Sequence, residues 1–237
     1  MSRFPDHIKD KLIVAIDTPT MEDARALVQA LKGSVGTFKI GLGLVPIGGI
    51  ELARELIAEG EKVFLDMKLF DIHQTVLEAT ARIAELGVHI LTLQGDPHVV
   101  RAAVAGRAEG ANNDTLKLFG VTVLTSLDQT DIDEIGFREP VANLTLRRAQ
   151  AIASAGADGV IASGKEARSI KQATDGKLKI ITPGIRSAGV GAQDQKRVMT
   201  PRDALEAGAD HLVIGRQITQ SPSPRAAAVA LLEEISR

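Results

Sequence analysis

The sequence predicts a (β/α)₈ (TIM) barrel, and three observations carry that prediction. Short runs rich in Val, Ile, Leu and Phe recur along the chain, and each is followed by a longer Ala-, Leu- and Glu-rich segment of helical period. Eight such pairs can be placed, and 237 residues are close to the length that a barrel of eight pairs needs. The sequence has no Gly-x-Gly-x-x-Gly opening, which makes a doubly wound open sheet the weaker alternative.

The elements follow one another without interruption from one end of the chain to the other. The predicted strands cover residues 12–17, 37–42, 62–68, 89–94, 117–124, 159–163, 179–183 and 211–215. The predicted helices cover residues 21–31, 48–58, 72–86, 98–108, 144–155, 165–173, 201–207 and 224–235. Strands that alternate with helices in this way form a parallel sheet. No shift in composition marks a boundary, so we expect one barrel domain over residues 1–237.

The connections between elements also follow a pattern. Two helix-to-strand joints repeat one motif, Ala155-Gly156-Ala157-Asp158 and Ala207-Gly208-Ala209-Asp210, and Gly after a helix is the usual C-terminal cap. We expect these joints to be structural and to lie at the floor of the barrel. The two longest connections, 125–140 and 184–199, both follow strands, which places them on the catalytic face as candidate lids.

Composition excludes several classes of protein. Lys and Arg number 28 against 30 Asp and Glu, Trp and Tyr are absent and only six Phe are present. Neutral charge and few aromatic rings argue against a nucleic-acid partner. The chain has no cysteine, which excludes disulfides and thiolate sites. Residues 1–11 have no apolar core of a signal peptide and no apolar run approaches about 18 residues, so we expect a cytoplasmic protein with no membrane contact.

The most informative segment is Asp66-Met67-Lys68-Leu69-Phe70-Asp71, at the end of the third predicted strand. Alternate residues of an extended strand share a face, so Asp66 and Lys68 are expected to point the same way, about 6–7 Å apart. Charges at the end of an apolar strand are costly unless they are paired. The segment therefore predicts an active site, although Asp71 with Gln74 three residues later also resembles a helix capping box.

Further polar residues follow other strands and should meet this segment at the barrel rim. They are Asp17, Lys39, Thr125, Ser126, Arg186, Gly215 and Arg216. Lys39 alone fits a surface lysine equally well. Arg186 and the Gly215-Arg216 pair follow the last two strands, where barrels commonly bind phosphate, and guanidinium groups bind phosphate in a bidentate manner.

The alternation of acids and lysines indicates which types of reaction this site can catalyse. A lysine between carboxylates is held as an ammonium, which can stabilise and protonate a carbanion but is a poor Schiff-base nucleophile. This argues against a class I aldolase, which needs a neutral amine. The five histidines show no metal-ligand spacing, and the lysines between the acids argue against a Mg²⁺ site, so we expect no metal.

Taken together, these motifs resemble the orotidine 5′-phosphate decarboxylase family over essentially the whole chain. The matching runs are Ala15-Ile16-Asp17-Thr18-Pro19, Phe38-Lys39-Ile40-Gly41, Asp66-Met67-Lys68-Leu69-Phe70-Asp71-Ile72 with Thr75, Val123-Leu124-Thr125-Ser126, Thr182-Pro183-Gly184-Ile185-Arg186, Asp194-Gln195-Lys196-Arg197-Val198 and Val213-Ile214-Gly215-Arg216-Gln217-Ile218-Thr219. Phe70 stands where His is frequent in the family, and His73-Gln74 replaces a frequent Pro-Asn or Gly-Asn. The charged positions match.

The resemblance implies cofactor-free decarboxylation of orotidine 5′-monophosphate to UMP, the last step of pyrimidine synthesis. It implies that Lys68 protonates C6, that Asp66 lies against the substrate carboxylate and that Lys39 completes the charge network. It further implies a homodimer in which Asp71 and Thr75 reach the partner's site. The other implied substrate contacts are Asp17 and Lys39 at the ribose, Thr125 and Ser126 at the pyrimidine, and Arg186, Gln195, Gly215 and Arg216 at the phosphate.

Two alternatives stay open. Relatives such as 3-keto-L-gulonate 6-phosphate decarboxylase and hexulose-phosphate synthase resemble the chain around Asp66, Lys68 and Asp71 but use Mg²⁺ and an enediolate. A catalytically silent barrel that senses a UMP-like nucleotide is the alternative from another class, and the intact charged residues argue against it.

Overall fold

Eight parallel strands close into a barrel in the computed structural model, which describes residues 4–111, 114–188 and 198–236. The strands are β1 (Leu12–Ala15), β2 (Thr37–Gly41), β3 (Val63–Leu69), β4 (Ile90–Gln94), β5 (Lys117–Val121), β6 (Gly159–Ile161), β7 (Lys179–Thr182) and β8 (His211–Ile214). Each strand pairs with the next along the chain, and β8 pairs with β1. This pairing confirms the predicted (β/α)₈ barrel and excludes an open doubly wound sheet, which would leave two edge strands.

Helices surround the barrel. They are α1 (Asp6–Lys9), α2 (Met21–Leu31), α3 (Gly49–Ala58), α4 (His73–Glu85), α5 (Pro97–Glu109), α6 (Gln129–Glu134), α7 (Val141–Ser154), α8 (Gly164–Ala173), α9 (Pro201–Glu206), α10 (Arg216–Thr219) and α11 (Pro224–Ile235), with a 3₁₀ turn at Val45–Ile47. All eight predicted helices are present. The 3₁₀ turn, α1, α6 and α10 were not predicted, because elements of three to six residues are too short to show a periodic pattern. Within the described parts of the chain, no helix has the length and apolar character needed to cross a membrane.

Two apolar layers stabilise the barrel. The larger layer lies between the strands and the surrounding helices, where residues such as Leu65 and Leu91 are fully buried. The smaller layer fills the barrel interior with Ile13, Phe64, Ile90, Phe119 and Ile181. Phe64 reaches a cavity at the mouth, and Ile90 and Phe119 reach a second cavity at the floor. Side chains therefore fill the barrel interior, and the mouth cavity does not continue through the barrel to the floor.

The repeated Ala-Gly-Ala-Asp joints lie at the floor, as predicted, and their aspartates perform the same task. Asp158 accepts a hydrogen bond from the backbone N–H of Leu118 on β5, and Asp210 accepts one from the backbone N–H of Ile180 on β7. Each carboxylate also accepts hydrogen bonds from basic side chains, which are Arg107 for Asp158 and Lys171 and Lys179 for Asp210. Each aspartate thus ties the start of its own strand to the strand beside it.

We predict that Asp210→Asn lowers the free energy of unfolding by about 1.5–3 kcal/mol at pH 7, because charge-assisted hydrogen bonds to two lysines and one amide are weakened. Burial raises the pKa of Asp210, but these hydrogen bonds outweigh it and hold the pKa below the ordinary 3.8. The stabilisation is therefore present above pH 3.8 and is lost as the pH falls through the lower folded-state value. Urea titrations at several pH values should show that the difference in free energy of unfolding between wild type and Asp210→Asn becomes smaller in acid. Asp175→Asn, at an exposed pair, should change stability by less than about 0.5 kcal/mol.

Both long connections begin on the mouth side, where Thr125, Ser126, Gly184 and Arg186 line the cavity. The connection 125–140 is not a bare loop, because α6 packs in it through Ile132, which joins Val123 and Leu144 in a small apolar cluster. The ends of the connection 184–199 are joined by a bridge between Ile185 and Met199. Residues 189–197 lie outside the described part of the chain. The prediction that these connections act as lids therefore stays a prediction.

Candidate active site

A cavity of about 510 Å³ opens at the carboxyl ends of the barrel strands. Nine of the twelve predicted site residues line it, namely Asp17, Lys39, Asp66, Lys68, Thr125, Ser126, Arg186, Gly215 and Arg216. They come from six strands or from the connections that follow them. Closure of the barrel brings together residues that lie up to about 200 positions apart in the sequence.

Four charged side chains form an alternating row along one wall of the cavity. Asp17 Oδ1 lies 3.7 Å from Lys39 Nζ, which lies 3.3 Å from Asp66 Oδ2. Asp66 Oδ1 then accepts a hydrogen bond of 2.7 Å from Lys68 Nζ. The side chains of Lys39 and Asp66 in the middle of the row are 10% and 15% exposed, whereas those of Asp17 and Lys68 at its ends are 64% and 32% exposed, so the row is buried at its centre.

The strand geometry explains how the row is accommodated. Lys39 on β2 and Asp66 on β3 project into the barrel from neighbouring strands, where each offsets the desolvation of the other. Gly41 on β2 leaves the space that the row needs. A Cβ atom at Gly41 would lie 3.1 Å from Asp17 Oδ1 and 3.2 Å from Lys39 Nζ, which is tighter than almost all real contacts. A side chain at position 41 would displace the charged groups.

Lys68 does not sit on a regular strand, which corrects the sequence-based prediction. Its φ is +49°, in the left-handed region that costs a residue with a Cβ atom roughly 1–2 kcal/mol. The pairing of β3 with β4 slips at the same place, because three residues stand between Leu65 and Leu69 while only Thr92 stands between Leu91 and Leu93. Alternation along a pleated strand therefore does not bring Lys68 to Asp66. A bulge re-aims the lysine, as bulges often do near active sites.

The surroundings of the Asp66 carboxylate favour its ionised form. Burial raises its pKa, but the positive charges of Lys39 and Lys68 and the hydrogen bonds from Lys68 and Thr92 outweigh burial. The pKa of Asp66 therefore lies below its ordinary value of 3.8. The ionised Asp66 carboxylate in turn holds Lys68 Nζ in place through their 2.7 Å hydrogen bond.

A pair of arginines, from the connections after β7 and β8, also lines the cavity. Arg186 follows β7 and is 7% exposed, and Arg216 begins α10 after β8. Burial and, to a smaller extent, the positive charge of Arg216 lower the pKa of the Arg186 guanidinium. Two guanidinium groups that repel each other at the mouth of a cavity favour a bound anion between them.

Apolar residues form most of the rest of the cavity, with Thr219 and Gln220 beside them, and the sequence-based prediction did not include any of these residues in the site. Val121, Ile161 and Val213 come from the inward-facing positions of three strands, beside Phe64. Such residues carry no signal that separates them from ordinary barrel core. Their presence means that a flat ring can lie against an apolar wall while its polar groups face the charged row.

Three predicted site residues do not line the cavity. Asp71 and Thr75 are exposed, and Asp71 Oδ1 accepts a hydrogen bond of 2.7 Å from the backbone N–H of Ile72. The capping-box alternative for Asp71 is wrong, because α4 begins at His73 with Ile72 as its N-cap and has no side-chain cap. Gln195 lies outside the described residues.

Comparison with known proteins agrees with the motifs. The family model described as "Orotidine 5'-phosphate decarboxylase / HUMPS family" matches residues 10–231. The orotidine 5′-phosphate decarboxylase of Nitrobacter winogradskyi is 49% identical over 235 residues, which cover 99% of this chain and 96% of that protein.

Solved structures give the same result. The orotidine 5′-phosphate decarboxylase of Lactobacillus acidophilus superimposes with a TM-score of 0.84 at 32% identity, over 95% of this chain and 99% of that one. The enzyme of the same name from Pyrococcus horikoshii OT3 superimposes with a TM-score of 0.74 at 25% identity, over the same shares of the two chains. A match of the family model to most of the chain and a close relative over nearly its whole length establish the relationship. The chain belongs to the orotidine 5′-phosphate decarboxylase / HUMPS family.

Proposed function

We propose that this chain is a carbon–carbon lyase that converts orotidine 5′-monophosphate to UMP and CO₂ on one barrel domain, without a cofactor, with Lys68 as the proton donor. The observation that carries the proposal is the 2.7 Å contact between Lys68 Nζ and the carboxylate of Asp66 inside a cavity that also holds two arginines. The 49% identity to a decarboxylase of this name supports the substrate.

The proposed step breaks the bond between C6 and the carboxylate of the substrate. CO₂ leaves, and the electron pair remains on C6 in an orbital that the pyrimidine ring cannot delocalise. A preorganised ammonium stabilises this developing charge and then transfers its proton to C6, which gives UMP. Lys68 regains a proton from solvent. Its side chain is partly exposed at the cavity, which provides a route for that proton.

Asp66 is proposed to face the substrate carboxylate and to orient Lys68. Its carboxylate is ionised and makes contacts to Lys39 and Lys68, so both ammonium groups are positioned before substrate binds. Beyond the buried Lys39, the row ends at the exposed Asp17, and ribose hydroxyls can donate to the Asp17 carboxylate and accept from the Lys39 ammonium. Thr125 and Ser126 lie in the same cavity and are proposed to face the pyrimidine.

The 5′-phosphate is proposed to bind between Arg186 and Arg216. An anion there would relieve the repulsion between the two guanidinium groups, and binding energy far from C6 can be used to close the site. Gly215 lines the same corner, and Gln195 is assigned to it on the family resemblance alone. Closure of the connection after β7 over the phosphate is part of this proposal.

A homodimer is proposed in which Asp71 and Thr75 complete the partner's site. Neither residue lines the cavity of its own chain. The side chains on either side of Asp71 are large, apolar and exposed, with Phe70 63% and Ile72 71% accessible. Exposed apolar groups that lie close together mark a surface at which a partner can bind. A second subunit seated there would bury them and carry Asp71 to the neighbouring mouth.

The test is a turnover assay on purified protein with EDTA present. We expect the absorbance change that accompanies conversion of orotidine 5′-monophosphate to UMP, at a rate that chelation does not alter. Mg²⁺-dependent turnover of a sugar phosphate, with no loss of orotidine monophosphate, would instead favour the enediolate chemistry of the alternative. Tight UMP binding without any turnover would favour the alternative of a catalytically silent barrel that senses a UMP-like nucleotide.

A further inference from the structure

Thr92 lies at the point where the bulge in β3 meets β4. It is the single residue of β4 opposite the three bulged residues Asp66, Met67 and Lys68. Its side chain is fully buried and does not line the cavity, so it cannot touch a substrate. Sequence reasoning passed over it as a polar residue within an apolar strand.

The hydroxyl of Thr92 makes two hydrogen bonds, both within the proposed catalytic segment. It accepts a hydrogen bond of 3.1 Å from the backbone N–H of Lys68 and donates a hydrogen bond of 2.8 Å to Asp66 Oδ1. The same Oδ1 atom accepts from Lys68 Nζ at 2.7 Å. One hydroxyl therefore fixes the backbone of the lysine and the carboxylate that orients its tip.

We propose that Thr92 is the positioning residue of this active site, whose hydroxyl holds Lys68 in its left-handed conformation and aims its ammonium at the reacting carbon. The proposal rests on the proposed decarboxylation. A hydroxyl can do this because it is donor and acceptor at once, and each role meets a different group here. A side chain of the same shape without the hydroxyl leaves the Lys68 amide unpaired in a partly buried position and removes one hydrogen bond from the Asp66 carboxylate.

The effect on the reaction should fall on the chemical step. Misplacement of a catalytic group by about 1 Å can cost up to 10²-fold in rate. We expect Thr92→Val to reduce kcat by about 10- to 100-fold while KM and the Kd for UMP stay within about threefold. Thr92→Ser should retain at least half of the wild-type kcat, because the hydroxyl remains.

A pH profile provides a second readout. The charged groups that face Asp66 are Lys39 on β2 and Lys68 on its own strand, with Asp17 beyond Lys39, while β4 contributes the uncharged Thr92. The Thr92 hydroxyl bond favours the ionised form of Asp66. In the pH profile of kcat, the fall on the acidic side should therefore move to higher pH in Thr92→Val and stay at the wild-type pH in Thr92→Ser.

Matched variants separate positioning from general damage to the core. Thr145→Val is the control, because Thr145 is equally buried and its hydroxyl has no hydrogen-bond partner among the described residues. It should leave kcat within twofold. If Thr92→Val does not fold, Thr92→Ser and Thr92→Ala decide the matter, because both lose the methyl group and differ only in the hydroxyl. Their kcat values should then differ by at least about tenfold.

The outcomes distinguish this inference from the proposed function. A wild-type protein that does not turn over orotidine 5′-monophosphate refutes the function. In that case the exchange rate of the Lys68 amide hydrogen still tests the positioning, since it should be slow in wild type and Thr92→Ser and at least tenfold faster in Thr92→Val. Active wild type with unchanged kcat in Thr92→Val overturns the positioning role alone, as does equal loss in the Ser and Ala variants.

Discussion

Lys68→Ala is expected to reduce kcat for orotidine 5′-monophosphate by about 10⁴-fold or more. Two contributions are lost together, since the ammonium both protonates the carbanion, which is typically worth about 10²- to 10⁴-fold, and stabilises its charge, which is typically worth about 10²- to 10³-fold. The Asp66 carboxylate keeps Lys39 at 3.3 Å, so the barrel should still fold. The measurement is a single-turnover assay at saturating substrate, with circular dichroism and UMP binding as checks of structure.

Lys62 provides the matched control, because it immediately precedes β3, at the end of that strand away from Lys68. It also forms a lysine–aspartate pair, with 2.8 Å between its Nζ and Asp10 Oδ1, but it lies at the floor of the barrel. Lys62→Ala should leave kcat within twofold. A kcat for Lys68→Ala within tenfold of wild type, with wild-type turnover intact, would show that another group supplies the proton.

The absence of cysteine allows a stricter version of this experiment. Lys68→Cys introduces the single thiol of the chain, because the natural sequence has none. Alkylation with 2-bromoethylamine then places an ammonium at nearly the position of the lost lysine tip. Activity should return in part after alkylation of Lys68→Cys and not after alkylation of Lys68→Ala. Recovery of this kind assigns the loss to the ammonium rather than to a change in the fold.

The barrel and most of its mouth can be predicted from the sequence for a definite physical reason. Strands buried on both faces appear as continuous apolar runs, and in a barrel their carboxyl ends must meet at one rim. Asp17, Lys39, Asp66 and Arg186 could therefore be assigned to one site although they are distant in sequence. The family motifs then supplied roles that position alone does not give.

The local geometry of Lys68 could not be predicted in the same way. A regular strand is the default for a run such as residues 62–68, and nothing in the residue types marks a left-handed lysine. The bulge depends on the pairing of β3 with β4, which is a tertiary property. For the same reason Thr92 was missed, because its importance arises from the residues opposite it and not from those beside it in sequence.

Mixing two inactive variants should restore activity if the site is shared between subunits. Each proposed site combines Lys68 of one chain with Asp71 of its partner. A dimer of one Lys68→Ala chain and one Asp71→Ala chain then contains one intact site and one doubly altered site. Random exchange of equal amounts makes half of the dimers mixed, so about a quarter of wild-type activity should return in a two-fold symmetric dimer. Neither variant alone should exceed about 1% of wild type.

The decisive control uses two residues that act from the same chain. Lys39 and Lys68 both contact one Asp66, so they belong to a single barrel. Mixing Lys39→Ala with Lys68→Ala leaves every mixed dimer with one lysine missing at each site, and activity should not return. Native mass spectrometry of differently tagged chains verifies the exchange in both mixtures. If exchange is complete and the Lys68→Ala and Asp71→Ala mixture stays inactive, Asp71 does not act across the interface. The exposed Phe70 and Ile72 would then require another explanation.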